Sequence, residues 1–288
     1  MIIVKEFPDR QFENKNELFT ALRENKADLI ATKKMAVKEA DAVIYVPSVS
    51  NDKGETIKAE TADLTDLDKI QAKLVINSML LMDSHSDVHL KGTFKKSIKE
   101  TKNPYLLQEH RMKFDHIISD VVVATLEVMS WKELGQKFQG DTEALMFNST
   151  ISKDRNEFMF NQYAKGFVKE HSVGMRYVRL ELAINSDSKW DVDEKKVWDK
   201  YIEFVANKEV AESQGYMWVI HEAKIIEGSA VVKGSNPATP TISIEAAEST
   251  SKESESSTDK DKTEPSKDTQ TKTKPTNDGG LNSFFKNL

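Results

Sequence analysis

The sequence predicts an α+β protein that is mainly β, with peripheral helices packed around a closed or partly open β-barrel. Long apolar runs rich in β-branched residues recur between residues 70 and 240, and shorter segments with helical spacing lie between them. The glycine-rich patterns GxGxxG and GxxxxGKS/T do not occur in this sequence. Their absence disfavours a doubly wound nucleotide-binding fold.

Composition divides the chain into four segments. Residues 1–69 are predicted to form a small helical and strand extension with a linker, and residues 70–240 to form the main β domain. Residues 241–280 are predicted to be a disordered tail, because no aliphatic or aromatic side chain from Ser249 to Gly280 offsets an ordering entropy of about 1–2 kcal/mol per residue. Residues 281–288 again contain leucines and phenylalanines. They are a candidate docking peptide, with a frayed terminus as the alternative.

The N-terminal extension contains two helical patterns. Apolar side chains at helical spacing predict a helix over Lys15 to Glu24, with Asn14 or Asn16 as its cap. A second amphipathic segment runs from about Asp28 to Glu39. A short strand is predicted at Ala42–Val46, where the following proline ends it.

Apolar runs and helical patterns alternate in the main domain. Strands are predicted at residues 72–82, 117–129, 144–151, 173–184 and 216–232. Helices are predicted around Phe94 and Ile98, over residues 158–168 and over residues 197–205.

Charge and residue usage exclude several classes of function. The chain has 41 basic and 47 acidic residues and a net charge of −6, which argues against a nucleic-acid-binding protein. It has no cysteine, so disulfides, thiolate nucleophiles and cysteine-ligated metals are excluded. No apolar stretch approaches the roughly 18 residues of a membrane span, and no secretory signal is recognised, so we expect no membrane association and a cytosolic location.

Alternating acidic and histidine residues at positions 83–89 suggest metal ligands. Asp83, His85, Asp87 and His89 would share one face of a strand, but neighbours on such a face lie about 7 Å apart, and at most two could reach one ion. We therefore predict a polar turn leading into the helix after Gly92 and expect no metal or cofactor. A metal-dependent hydrolase is the weaker alternative.

Two other polar positions suit acid–base and nucleophilic chemistry. His110 follows the apolar run Tyr105–Leu107 and precedes a strand, where a neutral imidazole can serve as a general base. Ser172 follows a helix and precedes a long strand, in a position predicted to be an exposed backbone corner. Gly174 allows close approach of the chain there, and the N–H groups near Val173 and Gly174 are candidate oxyanion donors.

Four short blocks occur in order between Val75 and Pro240. They are DSHSDVHLKGTF at 83–94, His110 after its apolar run, HSVGM at 171–175 and IHEAKIIEGSAVVKGSNP at 220–237. Together they resemble the prohead (head maturation) serine proteases of tailed bacteriophages, relatives of the herpesvirus assembly protease. The chain departs from the phage pattern at Met175 and at Lys233–Ser235, where a Pro-Ala pair is usual.

The resemblance implies a catalytic triad. Ser172 would be the nucleophile and His110 its general base. Glu227 would be the third member, at the position where the herpesvirus relatives have a histidine two residues before a serine. The alternatives for this third member are His221, Asp115 and Asp120.

The resemblance also implies a function and a setting. The chain would be a serine endopeptidase that acts in the host cytoplasm, inside the assembling procapsid. Its substrates would be the major capsid protein, the scaffold protein and the protease itself. Helices like the one around Trp198 and Tyr201 mediate dimerisation in the herpesvirus relatives, but we expect this helix to pack internally, with a homodimer as the alternative. A catalytically inactive capsid scaffold or assembly protein is the alternative function.

Overall fold

Two sheets of long strands form the centre of the computed structural model, which describes residues 1–37, 64–101 and 103–247. The strands are β1 Ile2–Val4, β2 Phe7–Phe12, β3 Lys69–Ser78, β4 Asp87–His89, β5 Tyr105–Gln108, β6 Ile117–Ser119, β7 Val121–Ser130, β8 Asp141–Ser152, β9 Glu170–Ile184, β10 Tyr216–Val231 and β11 Thr241–Ala246. The helices are α1 Lys15–Glu24, α2 Lys26–Met35, α3 Lys95–Glu100, α4 Glu157–Ala164, α5 Val192–Tyr201 and α6 Lys208–Gln214. The predicted strand at 42–46, most of the linker, the tail beyond residue 247 and the docking peptide lie outside the described residues.

The first sheet is built around β10. Antiparallel β9 pairs with one edge of β10 over the whole length of the strand. The other edge pairs with two short parallel strands in succession, first β4 and then β5, and β6 adds to β5. As a result, residues from three distant parts of the sequence meet near the end of β10.

The second sheet is antiparallel, with the strand order β11, β3, β8, β7. Its buried side chains pack against those of the first sheet in one apolar cluster, which includes Leu74 and Phe147 from the second sheet and Val173 and Trp218 from the first. Burial of this shared core is the main stabilising contribution that holds the two sheets together.

The N-terminal segment shares this core. Phe12, Leu18 and Leu22 are buried in the same cluster as Trp218. The carboxylate of Glu6 also accepts hydrogen bonds from the Trp218 indole at 2.7 Å and from the Tyr216 hydroxyl at 2.8 Å. Residues 1–35 are therefore packed and hydrogen-bonded onto the first sheet.

The predicted α+β class with mostly strands is confirmed, but a closed barrel does not form. Among the described residues, β7 and β11 each have a hydrogen-bonded neighbour on one side only, so the second sheet has two edges. The tail boundary is also corrected, because residues 241–246 form β11 and pair with β3. The predicted tail therefore begins too early in the sequence.

Helix α5 packs internally. Trp198 is buried in a smaller apolar cluster with Met217 and Val219 of β10, and Tyr201 lies partly buried against it. The side chain of Trp198 is thus not available for the alternative of an exposed dimerisation face. No helix in the described part of the chain has the length and apolar character to cross a membrane.

Candidate functional site

One face of the first sheet brings the predicted site residues together. Glu227 of β10 lies opposite Gly174 of β9, and Ser229 lies opposite Ser172. Directly paired residues point to the same face of a sheet, and alternate residues of one strand do so as well. Ser172, Gly174, Glu227 and Ser229 therefore share a face.

The opposite face of the same strands is turned towards the core. Gly228 lies against Phe147 and Ile76 of the second sheet, and Val173, its partner on β9, is buried in the shared cluster. The alternation of the strands thus separates the polar site face from the apolar face.

His110 reaches this face from the turn after β5. Parallel pairing places Tyr105 beside Glu227 and Gln108 beside Ala230, so the turn begins next to the end of β10. The backbone then adopts left-handed φ angles at Glu109 (51°) and His110 (58°). Each of these two left-handed residues raises the free energy of the folded backbone by about 1–3 kcal/mol, and the surrounding contacts must offset this increase.

His110 and Glu227 form a close pair. Nδ1 of His110 lies 2.6 Å from Oε1 of Glu227, and the two side chains are only 5% and 4% exposed. A carboxylate can only accept hydrogen bonds, so Nδ1 carries the ring proton and donates a hydrogen bond to Glu227. In the neutral imidazole, Nε2 is then the free acceptor. Nε2 is buried, with no hydrogen-bond partner in the described part of the chain.

Ser172 lies on the same face, inside a strand. It is the third residue of β9 and is 6% exposed, so the prediction that it occupies an exposed corner is wrong. The long pairing of β9 with β10 explains the difference, because it begins at Glu170 and leaves no turn at position 172. The hydroxyl of Ser172 and the imidazole of His110 are not hydrogen-bonded to each other in this structure.

Val173 and Gly174, the candidate oxyanion donors, also lie within the β9 ladder, opposite Gly228 and Glu227. Successive N–H groups of a strand point to opposite edges. One of these two amides is therefore directed away from β10.

His171 anchors the backbone next to Ser172. Its Nδ1 lies 3.1 Å from the Thr239 carbonyl and its Nε2 lies 3.0 Å from the Tyr163 hydroxyl, so Nδ1 donates and Nε2 accepts. Burial lowers the pKa of His171 to about 4, although the bond to Thr239 opposes the shift. His171 is therefore neutral at physiological pH and holds the start of β9 against the segment before β11.

The other candidates for the third member lie elsewhere. His221 is beside Glu181 and the Tyr201 ring, and burial lowers its pKa. Asp115 is exposed and bonded to its neighbour His116, and Asp120 lies near Arg155. Of the four candidates for the third member, Glu227 is the one hydrogen-bonded to His110.

The histidines at 85 and 89 belong to a separate polar region. Oδ1 of Asp83 accepts from the backbone N–H groups of His85 and Asp87, so a polar turn forms as predicted. It leads into strand β4, however, and not directly into the helix after Gly92. His89 is buried and lies 3.5 Å from the Tyr177 hydroxyl. In the described ranges, no group of three histidine, aspartate or glutamate side chains is arranged to hold a metal ion.

Ser229 is a site residue that the sequence pattern did not identify; it served only to locate Glu227, two residues before it. It is fully buried, and its hydroxyl bonds both to Glu227 and to the backbone of His110. Its position two residues after Glu227, on the same strand face, is the signal that could have identified it.

No family model, curated protein or solved structure matches this chain.

Proposed function

We propose that the chain is a serine endopeptidase in which Ser172, His110 and Glu227 form the catalytic triad. The observation that carries the proposal is the buried contact of 2.6 Å between His110 and Glu227, on the sheet face that also carries Ser172. An orienting carboxylate, an imidazole with its second nitrogen unoccupied and a neighbouring hydroxyl are the components that acyl transfer requires.

Each side chain has a defined part in the proposed reaction. Oγ of Ser172 attacks the scissile carbonyl while Nε2 of His110 takes the hydroxyl proton. Glu227 stabilises the imidazolium through the Nδ1–H bond. His110 then donates its proton to the leaving amine, which leaves an acyl-serine ester. Water then attacks the ester while His110 accepts a proton from it. As the acyl–Oγ bond breaks, His110 returns this proton to Oγ, which restores Ser172 and the neutral imidazole and releases the carboxylic acid product.

The proposed setting is an assembling phage procapsid in the host cytoplasm, with the major capsid protein, the scaffold protein and the protease itself as substrates. It is supported by the order of the four sequence blocks and by the placement of His110, Ser172 and Glu227 on one face. Confinement of enzyme and substrate in a closed shell raises their effective concentration, which suits a protease with a small recognition surface. Docking of residues 281–288 on coat or scaffold is part of this proposal.

A partly open barrel is part of the same proposal. It is supported at one edge, where β6 of the first sheet ends at Ser119 and β7 of the second begins at Val121. The Ser119 hydroxyl donates to the Thr150 carbonyl of β8 at 2.6 Å, so the sheets are joined there.

Cleavage during co-expression tests the function. Mass spectrometry of the chain expressed with its coat and scaffold proteins should show truncated products. Ser172→Ala should reduce cleavage by about a thousand-fold or more, on the scale of the loss of a triad serine. The matched control is Ser186→Ala, in the loop after β9, which should cleave normally. Full processing by Ser172→Ala would refute the assignment of the nucleophile.

A fluorophosphonate probe separates the protease from the inactive assembly protein. The probe should label the wild-type chain and the Ser186→Ala variant at Ser172, and should fail to label Ser172→Ala. An unlabelled and uncleaving wild-type chain that still promotes shell assembly would instead support the scaffold or assembly role.

A further inference from the structure

We infer that Ser229 is a positioning residue that fixes the general base and the acid of the triad relative to each other. This inference rests on the proposed function. The Ser229 hydroxyl donates to Oε2 of Glu227 at 2.6 Å and accepts from the backbone N–H of His110 at 3.0 Å. A single hydroxyl group is thus bonded to both partners of the His110–Glu227 pair.

The bond to Glu227 orients the carboxylate. Its Oε1 contacts the imidazole and its Oε2 contacts Ser229, so each oxygen has its own donor. A carboxylate held at both oxygens cannot rotate about its terminal torsion without losing a charge-assisted hydrogen bond. The Glu227 plane is thereby kept in line with Nδ1 of His110.

The bond to His110 holds a backbone that is strained. Glu109 and His110 are both left-handed, and their N–H groups bond to consecutive residues of β10, Glu109 to the Ala230 carbonyl at 3.0 Å and His110 to Ser229. Without the Ser229 oxygen, one of these two attachments is lost. The turn that carries the imidazole would then be free to relax away from Glu227.

These two bonds also exclude Ser229 as a second nucleophile. Its hydroxyl proton is committed to Glu227, its oxygen accepts from a backbone amide, and the residue is 0% exposed. Ser172, directly opposite on β9, retains some exposure. The two facing serines therefore have different roles, Ser172 in chemistry and Ser229 in alignment.

Steady-state kinetics test the inference. Ser229→Ala should lower kcat by about 10- to 100-fold with KM nearly unchanged, because alignment is lost while substrate contacts remain. Ser229→Thr keeps the hydroxyl and should recover most of the lost rate. Because Ala could destabilise the strand, Ser229→Cys provides a second variant of similar volume with a weak donor. The fold of each variant is checked by circular dichroism.

A spectroscopic measurement separates this inference from the proposed function. In the Ser172→Ala background, which has no activity to lose, the His110 Nδ1 proton bonded to Glu227 should give a downfield NMR resonance. Addition of Ser229→Ala should shift or broaden this resonance, and Ser229→Thr should restore it. An unchanged resonance together with a kcat within twofold of the parent would overturn the inference. A wild-type chain without any protease activity would refute the proposed function, and the NMR result would still decide the role of Ser229.

Discussion

Gly174 leaves the space that the Glu227 carboxylate occupies. The two residues lie opposite each other on β9 and β10, and a Cβ atom added to Gly174 would lie 1.9 Å from Oε1 of Glu227 and 2.7 Å from its carboxyl carbon. Real Cβ atoms essentially never approach another heavy atom so closely. Because the same Oε1 contacts His110, the absence of a side chain at position 174 is a condition for the His110–Glu227 contact.

The first prediction concerns Gly174→Ala. The added methyl group must displace the Glu227 carboxylate from Nδ1 of His110, which removes the group that orients the imidazole. For the proposed protease we expect kcat to fall by about 100-fold or more, towards the roughly 10⁴-fold loss of kcat that follows neutralisation of a triad carboxylate. Peptide hydrolysis by the purified variant measures the effect.

A double-mutant cycle provides the control for Gly174. If Gly174→Ala acts through the carboxylate, its effect should disappear in a Glu227→Ala background, because the displaced group is already absent. Additive losses in the double variant would show that the methyl group damages the site by another route.

The second prediction is that His171 makes stability depend on pH. Its folded pKa of about 4 lies below the ordinary value of 6.5, so between these values the unfolded chain binds a proton that the native chain does not. Stability therefore falls as pH drops from 6.5 to 4. The loss contributed by His171 reaches about 3 kcal/mol at the lower end, because 2.5 pKa units at 1.36 kcal/mol each separate the two states.

Urea unfolding at a series of pH values checks this dependence. His171→Gln removes the titrating group, so its free energy of unfolding should fall less between pH 6.5 and 4 than that of the wild type. The carboxylates are common to both proteins, and the difference isolates His171. Parallel curves for the two proteins would contradict the prediction.

The third prediction concerns the buried Lys33 of α2. Its Nζ lies 2.7 Å from Asp87 and 3.6 Å from Glu6, and it also lies over the Trp218 ring at 5.0 Å. Burial alone would lower the pKa of Lys33, but the nearby acidic charges, chiefly Asp87 and Glu6, and the hydrogen bond to Asp87 together outweigh burial and raise this pKa. Lys33→Met removes the ammonium from between two carboxylates and should cost about 3–5 kcal/mol in unfolding free energy.

A surface pair of the same kind serves as the matched control for Lys33. Lys196 lies 3.0 Å from Asp193, and both side chains are largely exposed, so Lys196→Met should cost less than about 1 kcal/mol. Urea unfolding measures both changes in unfolding free energy. Equal decreases for the two variants would show that burial does not make the Lys33 ion pairs contribute more to stability than the exposed pair.

The sequence predicted the local elements better than the pairing between them. Helix α1 has the predicted bounds, and the predicted cap is confirmed, because Oδ1 of Asn14 accepts from the N–H of Glu17 at 3.0 Å. The long strands β9 and β10 begin and end within about three residues of the predicted positions. Long runs of apolar and β-branched residues are a strong local signal for buried strands. Local hydrogen bonds and burial determine such elements.

The geometry of the site could not be derived from local pattern. His110 and Glu227 are 117 residues apart, and their contact depends on the parallel pairing of β5 with β10. Only the resemblance to phage proteases suggested Glu227. The exposed corner predicted for Ser172 was wrong because helix α4 ends at Ala164 and the strand pairing starts before the serine.

The last prediction concerns β11. The sequence did not indicate this strand, because Thr241–Ala246 is short and partly exposed and follows Pro240, where the main domain was predicted to end. In the fold, Ile244 packs against the main core, Ile242 packs against a smaller cluster, and the strand pairs with residues 70–74 of β3. A chain that ends at Pro240 should therefore be about 2–4 kcal/mol less stable than one that ends at Ala247.

Urea unfolding of the two truncated chains measures this difference. Ile244→Ala in the longer chain should reproduce part of the loss, since it removes apolar contact while the strand pairing remains. The shorter chain should also aggregate more readily, because the edge of β3 that β11 covers then presents unpaired N–H and carbonyl groups. Equal unfolding midpoints for the two chains would show that β11 lies on the sheet without stabilising it. The stable domain would then end at Pro240, as the sequence predicted.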